Sequence, residues 1–323
     1  MKILGIGNAL VDILVRLEDE KLLQELGLAK GGMILASDED QQRIAPLMER
    51  LSPQKATGGS AGNVILALAH LQDGTGFVGS IGNDANGQFF AQTLQGIGAE
   101  TRLRTIDGRA TGTANTFITR DGERTFATHL GAACCMLPQD ITPEVLQGYD
   151  LLHVEGYLIA NPALLDTICR QAKALGMLVS IDLASFTVVR SALQEMTRIV
   201  DEYVDIVFAN QEEAEAFTSL ADPLQAARQI AEHCQTAVVK MGGDGACVMQ
   251  HGATAPVQIP AQRVPVVDTT AAGDFFAGGF LHAYGKGMPM EACLGMGARL
   301  AAEVIQVIGT QVPTERWKAI RNA

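Results

Sequence analysis

The residues best suited to chemistry lie near the C-terminus, in the segment VPVVDTTAAGDFFAGGFLHAY at 264–284. An apolar run ends at Asp268, a turn of small residues follows at 269–273, and a helical pattern begins at Asp274. The first N–H groups of a helix have no partner within it, and the helix dipole is positive at that end, so this pattern predicts an anion-binding site. Gly273 lets a ligand approach the backbone closely.

Asp274 stands next to that predicted anion site. A carboxylate at the start of a helix is often only a cap. The alternative is a general base, which accepts a hydroxyl proton while the neighbouring N–H groups stabilise a transferring phosphoryl group. The phosphate-binding loop G-x-x-x-x-G-K-[ST] is absent from the sequence.

Short apolar runs that alternate with helical patterns must position these residues. Continuously apolar strands that alternate with helices are typical of a parallel sheet covered on both faces, so the sequence predicts an α/β fold. The predicted strands are 3–6, 76–80, 151–154, 178–182, 206–209, 237–241 and 246–250. The predicted helices lie near 63–71, 87–95, 162–175, 211–220 and 224–234.

The segment 100–130 interrupts that alternation. It is rich in Thr, its polarity alternates with period two, and it contains the turn signals Asp107-Gly108 and Asp121-Gly122. This pattern predicts β-hairpins without an intervening helix, and therefore a small antiparallel sheet inserted into the α/β core. The pattern alone leaves open whether that sheet is a lid over a site or a surface excursion.

Composition bounds the class of protein. The chain has 323 residues, enough for one large domain or two ordinary ones, and its 47% apolar and 19% charged residues exclude a disordered chain. Lys plus Arg is 24 and Asp plus Glu is 36, so the net charge is 24 − 36 = −12. Without a basic cluster, nucleic acid is not a predicted partner.

The six cysteines include no C-x-x-C pair and no His at metal-ligand spacing, so neither a zinc site nor a disulfide framework is predicted. The apolar start of the chain carries Asn8 and Asp12 and lacks a cleavage site, which favours a buried strand over a signal peptide. No apolar run approaches the ~20 residues that a membrane-spanning helix needs. We therefore expect a cytoplasmic protein without a membrane partner.

Six motifs, in order along the chain, resemble those of the ribokinase-like (PfkB) family of carbohydrate and nucleoside kinases. DTTAAGD at 268–274 is similar to the signature D-T-x-G-A-G-D, and GGSAGN at 58–63 to a double glycine followed by Asn. The others are GNALVD at 7–12, SIGNDANG at 80–87, FANQEEA at 208–214 and KMGGDGA at 240–246. With AAEVIQVIGTQ at 301–311, the resemblance covers nearly the whole chain.

The resemblance implies a single α/β kinase domain over residues 1–323, with a doubly wound, mostly parallel sheet, helices on both faces and a small β-sheet lid. The lid is expected from 8–17, 30–37 and 100–130. The implied activity is ATP-dependent phosphorylation of a primary hydroxymethyl group of a sugar, with ATP and Mg²⁺ as cofactors and K⁺ as a candidate third. A non-catalytic sugar or nucleotide sensor of the same fold is an alternative that Asp274 argues against, because a pure binder needs no base.

The resemblance also implies roles for individual residues. Asp274 would take the proton of the acceptor hydroxyl, and the N–H groups of Ala271, Ala272 and Gly273 would form the anion hole. The family usually has Gly-Ala where this chain has Ala271-Ala272, so one backbone position is less permissive than usual. The residues expected to bind the sugar hydroxyls are Asn8, Asp12, Gly58, Gly59 and Asn63.

On the nucleotide side, the resemblance implies that Asn210 and Glu213 organise Mg²⁺, largely through water. The alternative for Glu213 is an acid in the first turn of a helix, where it favours the dipole. The residues expected to line the nucleotide site are Lys240, Gly242, Gly245 and Gly309. Those expected to bind a monovalent cation through carbonyls are Asp268, Thr270, Val304, Val307 and Gly309.

The acceptor is open between a free sugar and a purine nucleoside. Ser60 follows the glycine pair, as in the nucleoside kinases, and HLGAACC at 129–135 and EGYLI at 155–159 resemble base-contacting stretches of adenosine kinases. Tyr157 either stacks on a purine or packs in the core. A phosphorylated acceptor would need extra cations, which Arg104, Arg120 and Arg124 could supply unless they are ordinary solvated charges. Both a monomer and a lid-mediated homodimer are compatible with the family.

Overall fold

The computed structural model describes residues 1–121 and 123–322, which form two sheets and the helices around them. The strands are β1 Ile3–Ile6, β2 Leu10–Arg16, β3 Met33–Leu35, β4 Gln54–Gly58, β5 Thr75–Gly82, β6 Glu100–Ile106, β7 Gly112–Ile118, β8 Arg124–His129, β9 Leu151–Glu155, β10 Leu178–Asp182, β11 Ile206–Asn210, β12 Thr236–Lys240, β13 Ala246–Gln250 and β14 Val257–Ile259. The helices are α1 Lys21–Leu26, α2 Asp38–Arg50, α3 Ser60–His70, α4 Ala85–Gly96, α5 Pro143–Leu146, α6 Pro162–Ala174, α7 Phe186–Ser191, α8 Leu193–Tyr203, α9 Gln211–Thr218, α10 Pro223–His233, α11 Ala272–Gly285, α12 Met290–Val304 and α13 Thr314–Arg321.

The large sheet has the strand order β14-β13-β12-β11-β10-β9-β1-β5-β6. Neighbouring strands run parallel from β12 to β6, and β13 and β14 add an antiparallel edge. The chain winds outwards from β1 in both directions, which places a crevice at the carboxyl ends of β1 and β9. The predicted doubly wound, mostly parallel α/β fold is confirmed.

Helices cover both faces of this sheet, which explains the continuously apolar strands. One buried cluster joins the sheet to α3, α11 and α12, and a second joins it to α6, α8 and α10. Gly279 allows α11 to pack closely against α12, because a Cβ at this position would lie 2.5 Å from the carbonyl oxygen of Met296. The two helices that frame the anion-site turn, α11 and α12, are therefore packed backbone to backbone.

The second sheet, here called the lid sheet, has the order β3-β8-β7-β2-β4. Its strand β2 follows β1 almost directly, and β4 is followed at once by α3. The lid sheet is therefore connected to the large sheet beside the crevice. The pairs β2–β7 and β3–β8 are parallel, whereas β7–β8 and β2–β4 are antiparallel. The predicted sheet was purely antiparallel and lacked β4; on both points the prediction is wrong.

A further correction concerns the start of the segment 100–130. Glu100–Ile106 does not belong to the lid sheet but pairs in parallel with β5 as the edge of the large sheet. The preceding helix α4 makes β5–α4–β6 a parallel crossover unit, and β6, as the edge strand, is partly exposed along its length. Asp107-Gly108 thus links the two sheets, and Gly122 of the second turn signal lies outside the described residues.

Over residues 1–121 and 123–322 no helix combines the length and the apolar character needed to cross a membrane. The six cysteines, all among the described residues, have free thiols.

Candidate active site

The crevice opens into a cavity of about 1800 Å³ between the carboxyl edge of the large sheet and the lid sheet. Four of the polar residues that line it are each the last residue of a strand: Glu155 of β9, Asp182 of β10, Asn210 of β11 and Lys240 of β12. These strands are adjacent and parallel, and in register Asp182 pairs with Glu155 and Asn210 with Lys240. Sheet register alone therefore arranges a row of charges along one wall.

Asp274 lies in the first turn of α11 and lines the same cavity. Its Oδ1 accepts a hydrogen bond from Ser60 Oγ at 2.8 Å, and its Oδ2 accepts one from Asn63 Nδ2 at 2.9 Å. Burial raises the pKa of Asp274 to about 6, although the bond from Asn63 works against that rise. The carboxylate is held in one orientation and has a proton affinity suited to a base near neutral pH.

The backbone before Asp274 forms the expected small-residue turn. Ala271 has φ +60°, Ala272 N–H donates to the Thr269 carbonyl at 3.3 Å, and the Ala271 carbonyl accepts from Phe275 N–H at 2.8 Å. Ala272 N–H, one of the three predicted anion-hole donors, is therefore engaged within the turn, and Ala271 and Gly273 supply the other two predicted N–H groups. A Cβ on Gly273 would lie 3.0 Å from Lys240 Nζ, so the ammonium group sits against the helix start. The predicted anion site gains a side-chain cation.

Lys240 is held there by Asp182, whose Oδ2 lies 2.6 Å from Lys240 Nζ. Burial by itself would lower the pKa of Lys240, but the negative charges of Asp182 and Glu213 outweigh it and raise that pKa. The ammonium group is therefore charged beneath the anion site. The sequence did not single out Asp182, although the predicted strand 178–182 ends on it.

The predicted acceptor residues meet where β1 turns into β2. Asp12 is buried, and burial together with the charge of Asp274 raises its pKa to about 8. A Cβ on Gly58 would lie 2.1 Å from Asp12 Oδ1, and one on Gly59, which has φ +82°, would lie 2.1 Å from the Asn8 carbonyl oxygen. The glycine pair is thus needed for β4 and α3 to approach this turn.

Glu155 completes the acceptor side and was missed as an individual residue in the sequence. One of its oxygens accepts from the backbone N–H of Asn8 at 2.9 Å and from the Asn8 side-chain amide, and the other accepts from Ala61 N–H at 3.2 Å. Burial raises its pKa to about 7. Glu155 fixes both Asn8 and the start of α3, and its signal in the sequence is its place directly after the predicted strand 151–154.

Asn210 and Glu213 form a capping box at the start of α9. Glu213 Oε2 accepts from Asn210 N–H and its Oε1 from Asn210 Nδ2, both at 2.8 Å, while Asn210 Oδ1 accepts from Glu213 N–H. Burial and the charge of Asp182 raise the pKa of Glu213. Glu213 thus lies in the first turn of α9, as its alternative interpretation expected, and both residues also line the cavity. One carboxylate with an amide suits Mg²⁺ bound through water, because Mg²⁺ dehydrates reluctantly.

The other end of the cavity is lined by small and apolar residues. Gly242 and Gly245 lie there, and the φ of +102° at Gly245 and a Cβ position only 1.9 Å from the Ile259 carbonyl oxygen require glycine. The facing wall consists of Ala298, Ala301, Ala302 and Ile305 of the α12 region. Such a slot fits a flat ring. The predicted nucleotide residues Gly242 and Gly245 therefore lie together with Lys240.

Two of the predicted cation-binding residues, Thr270 and Gly309, contact the carboxylate of a third, Asp268. Its Oδ1 accepts from Thr270 N–H at 2.6 Å, and its Oδ2 accepts from Gly309 N–H at 2.8 Å. Arg124 Nη2 from the lid sheet lies 2.5 Å from Oδ1. A guanidinium thus stands at the carboxylate where the resemblance predicts a monovalent cation. Gly309, expected also beside the nucleotide, contacts this carboxylate instead.

The lid sheet presents an apolar surface to the cavity. In β8 the partly exposed residues Phe126 and Thr128 face the cavity, and Met33 and Leu35 of β3 lie beside them at 51% and 68% exposure. Tyr157, predicted to stack or to pack, lines the cavity at 37% exposure. The remaining apolar lining residues of this end include Leu130, Ala133, Cys134 and Met136. The polar acceptor cluster is therefore continuous with a broad apolar surface.

Comparison with known proteins agrees with this geometry. The family described as pfkB family carbohydrate kinase matches residues 33–317. The adenosine kinase of Sinorhizobium meliloti has 32% identity and a TM-score of 0.89, with 100% of this chain and 99% of that chain covered. A probable sugar kinase from Rhizobium etli CFN 42 has 32% identity and the same TM-score, with 99% and 98% covered. The aminoimidazole riboside kinase of Salmonella typhimurium is 30% identical over 70% of this chain and 73% of its own length.

Proposed function

This chain belongs to the pfkB family of carbohydrate kinases and is an ATP-dependent phosphotransferase, and on that premise we propose that its acceptor is a purine nucleoside. The observation that carries the proposal is the apolar surface formed by Met33, Leu35 and Phe126 next to the polar acceptor cluster. A free sugar carries hydroxyl groups on most sides and would leave that surface bare. A purine attached to the sugar would cover it.

The polar cluster supports the sugar half of such a ligand. Asn8, Asp12 and Asn63 line the cavity within reach of Asp274, and carboxyl and amide groups suit vicinal hydroxyls. With Asp12 protonated at neutral pH, it donates one hydrogen bond as well as accepting others. We place the ribose here, with its 5′-hydroxyl towards Asp274 and its base on the lid surface.

The transfer step follows from these positions. Asp274 accepts the proton of the 5′-hydroxyl as that oxygen forms a bond to the γ-phosphorus of ATP, and the bond from this phosphorus to the β–γ bridging oxygen breaks, releasing ADP. The N–H groups at the start of α11, with the Lys240 ammonium beside Gly273, stabilise the charge on the transferring group. Asn63 and Ser60 hold the Asp274 carboxylate in its orientation through their hydrogen bonds.

The nucleotide arrangement is part of the same proposal. The adenine of ATP lies in the slot between the Gly242–Gly245 turn and α12, so its phosphates run towards the start of α11. Asn210 and Glu213 would hold Mg²⁺ through water, and that ion supplies positive charge to the β- and γ-phosphates. We also propose that the lid sheet closes over the acceptor, which excludes water and limits futile ATP hydrolysis.

A screen of ADP release tests the acceptor. We expect kcat/KM for adenosine or inosine to exceed that for ribose or fructose by about 10²-fold or more, because burying a base on an apolar surface contributes on the order of 3 kcal/mol. Asp274→Asn provides the background rate for every acceptor. Equal or higher kcat/KM for a free sugar would contradict the nucleoside proposal and would favour the sugar acceptor, which the likeness to the Rhizobium etli protein also allows.

A further inference from the structure

Asp268 is a fully buried carboxylate, with a side chain 0% exposed, in the turn that leads to the anion site. Two backbone N–H groups, those of Thr270 and Gly309, donate to it, one to each oxygen. A buried carboxylate needs a countercharge as well as donors, because two neutral hydrogen bonds do not replace its hydration. The remaining requirement is a positive charge close to Asp268.

Arg124, the first residue of β8, meets that requirement. Its side chain is 11% exposed, its Nη2 lies 2.5 Å from Asp268 Oδ1, and its Nη1 lies 3.5 Å from Thr269 Oγ1. By contrast, the lid arginine Arg120 is 75% exposed and pairs with the exposed Glu18. Arg124 is therefore no ordinary solvated charge, but a cation buried between the lid sheet and the turn at 268–271.

The Asp268 carboxylate is already engaged by donors. Both of its oxygens accept backbone N–H groups, those of Thr270 and Gly309, and its Oδ1 also lies against Arg124. Of the carbonyls expected to bind a monovalent cation, that of Val304 accepts from Val307 N–H at 3.2 Å. The Thr270 hydroxyl is buried without a partner among the described residues. An added cation would also face the charge of Arg124.

We infer that the Arg124 guanidinium supplies the charge that neutralises Asp268, so that this kinase needs no monovalent cation. Arg124 acts as a positioning residue: through Asp268 it holds the turn at 268–271, which includes the left-handed Ala271 and leads into the anion site. Because Arg124 belongs to β8, the charge is carried by the same strand that presents Phe126 to the acceptor cavity.

The experiment compares K⁺ with the bulky cation N-methyl-D-glucamine at equal ionic strength. For the wild-type protein we expect the same thermal midpoint without ligands, within about 1 °C, and the same kcat within about twofold. Arg124→Met should have a lower midpoint and lower kcat in N-methyl-D-glucamine, and K⁺ or guanidinium should restore part of both. Arg124→Lys should keep the insensitivity to K⁺, and Arg120→Met should behave as wild type.

Two results would overturn the inference. A wild-type thermal midpoint that rises by several degrees with K⁺, or a wild-type kcat that rises several-fold with it, would show that a cation is still required. An Arg124→Met protein that matches wild type in both salts would show that Arg124 does not neutralise Asp268. If Arg124→Met does not fold, Arg124→Lys decides the question. A K⁺ requirement that Arg124→Lys acquires and wild type lacks would contradict the inference. The ligand-free midpoints involve no acceptor, so they stand apart from the nucleoside proposal.

Discussion

The two sheets differ in what covers them. All eight residues of β5 and all five of β9 in the large sheet are buried, whereas all three residues of β3 in the lid sheet are exposed and β8 alternates. Helices cover both faces of the large sheet, so it is complete without ligand. The cavity face of the lid sheet has no such cover. An apolar face left open beside a site is a surface that a ligand can cover.

The charges are divided in the same way. Glu155, Asp182 and Lys240 end adjacent strands of the large sheet, so sheet register fixes their positions. The lid contributes mainly apolar side chains, and its ionisable residues include the buried Asp12 of β2 and Arg124 of β8. Under the proposed function, the large sheet positions the groups that perform the chemistry and the lid sheet selects the acceptor. Substitutions on the two sides should therefore change different kinetic constants.

The largest expected effect is that of Asp274→Asn. The amide keeps the shape of the side chain and can still bond with Ser60 and Asn63, but it cannot accept the hydroxyl proton. We expect kcat to fall on the order of 10²–10⁴-fold with little change in the dissociation constants of ATP and acceptor. Steady-state kinetics and calorimetry measure the two quantities. Wild-type turnover in this variant would remove Asp274 from the mechanism.

The same variant should be more stable than wild type at alkaline pH. Burial raises the pKa of Asp274 from its ordinary 3.8 to about 6, so the folded protein binds this proton more tightly than the unfolded chain. The contribution that protonated Asp274 makes to the free energy of unfolding is fully present below pH 3.8 and is lost as pH rises through about 6. Thermal midpoints should therefore diverge in favour of Asp274→Asn at pH 8 and converge near pH 4, and the opposite trend would contradict the assignment.

A smaller effect is expected on the lid side from Phe126→Ala. Loss of the aromatic surface should raise KM for a nucleoside about tenfold, about 1.4 kcal/mol, and leave kcat and the affinity for ATP nearly unchanged. The matched control is Phe186→Ala, which removes an aromatic ring that is 37% exposed outside the cavity. If kcat fell and KM did not change, the division of labour between the sheets would be wrong.

The smallest effect is expected from Ala271→Gly. Ala271 has φ +60°, a conformation that costs a residue with a Cβ about 1 kcal/mol more than it costs glycine. We expect a gain of about 1 kcal/mol and a midpoint about 1–2 °C higher, with unchanged kcat. Ala272→Gly, inside the helix, is the control and should destabilise. A lower midpoint for Ala271→Gly would show that the turn is not strained.

Much of the large sheet follows from local pattern, because strands such as 178–182 and 246–250 are apolar runs bounded by turns. The segment 100–106 was misassigned because an exposed edge strand is as polar as a hairpin strand, and only the partner strand tells them apart. Asp274 and the glycine pair at 58–59 were recognised by motif.

Glu155, Asp182 and the Arg124–Asp268 pair depend on contacts between distant parts of the chain. Asp182 and Glu155 become neighbours only through the parallel register of β9 and β10. In the sequence Arg124 is one of several lid arginines, and nothing local distinguishes it from Arg120, although one is buried and the other solvated. Long-range pairing of this kind is decided by topology, which a single sequence specifies only indirectly.

The most direct test of the central claim is the pH dependence of single-turnover phosphoryl transfer in wild type and Asp274→Asn. In wild type the rate should fall about tenfold per pH unit below a pKa of about 6, because protonation removes the base. In the variant the slow residual rate should show no inflection there. An inflection near pH 6 that persists in Asp274→Asn would assign the essential proton acceptor to another group and would contradict the account.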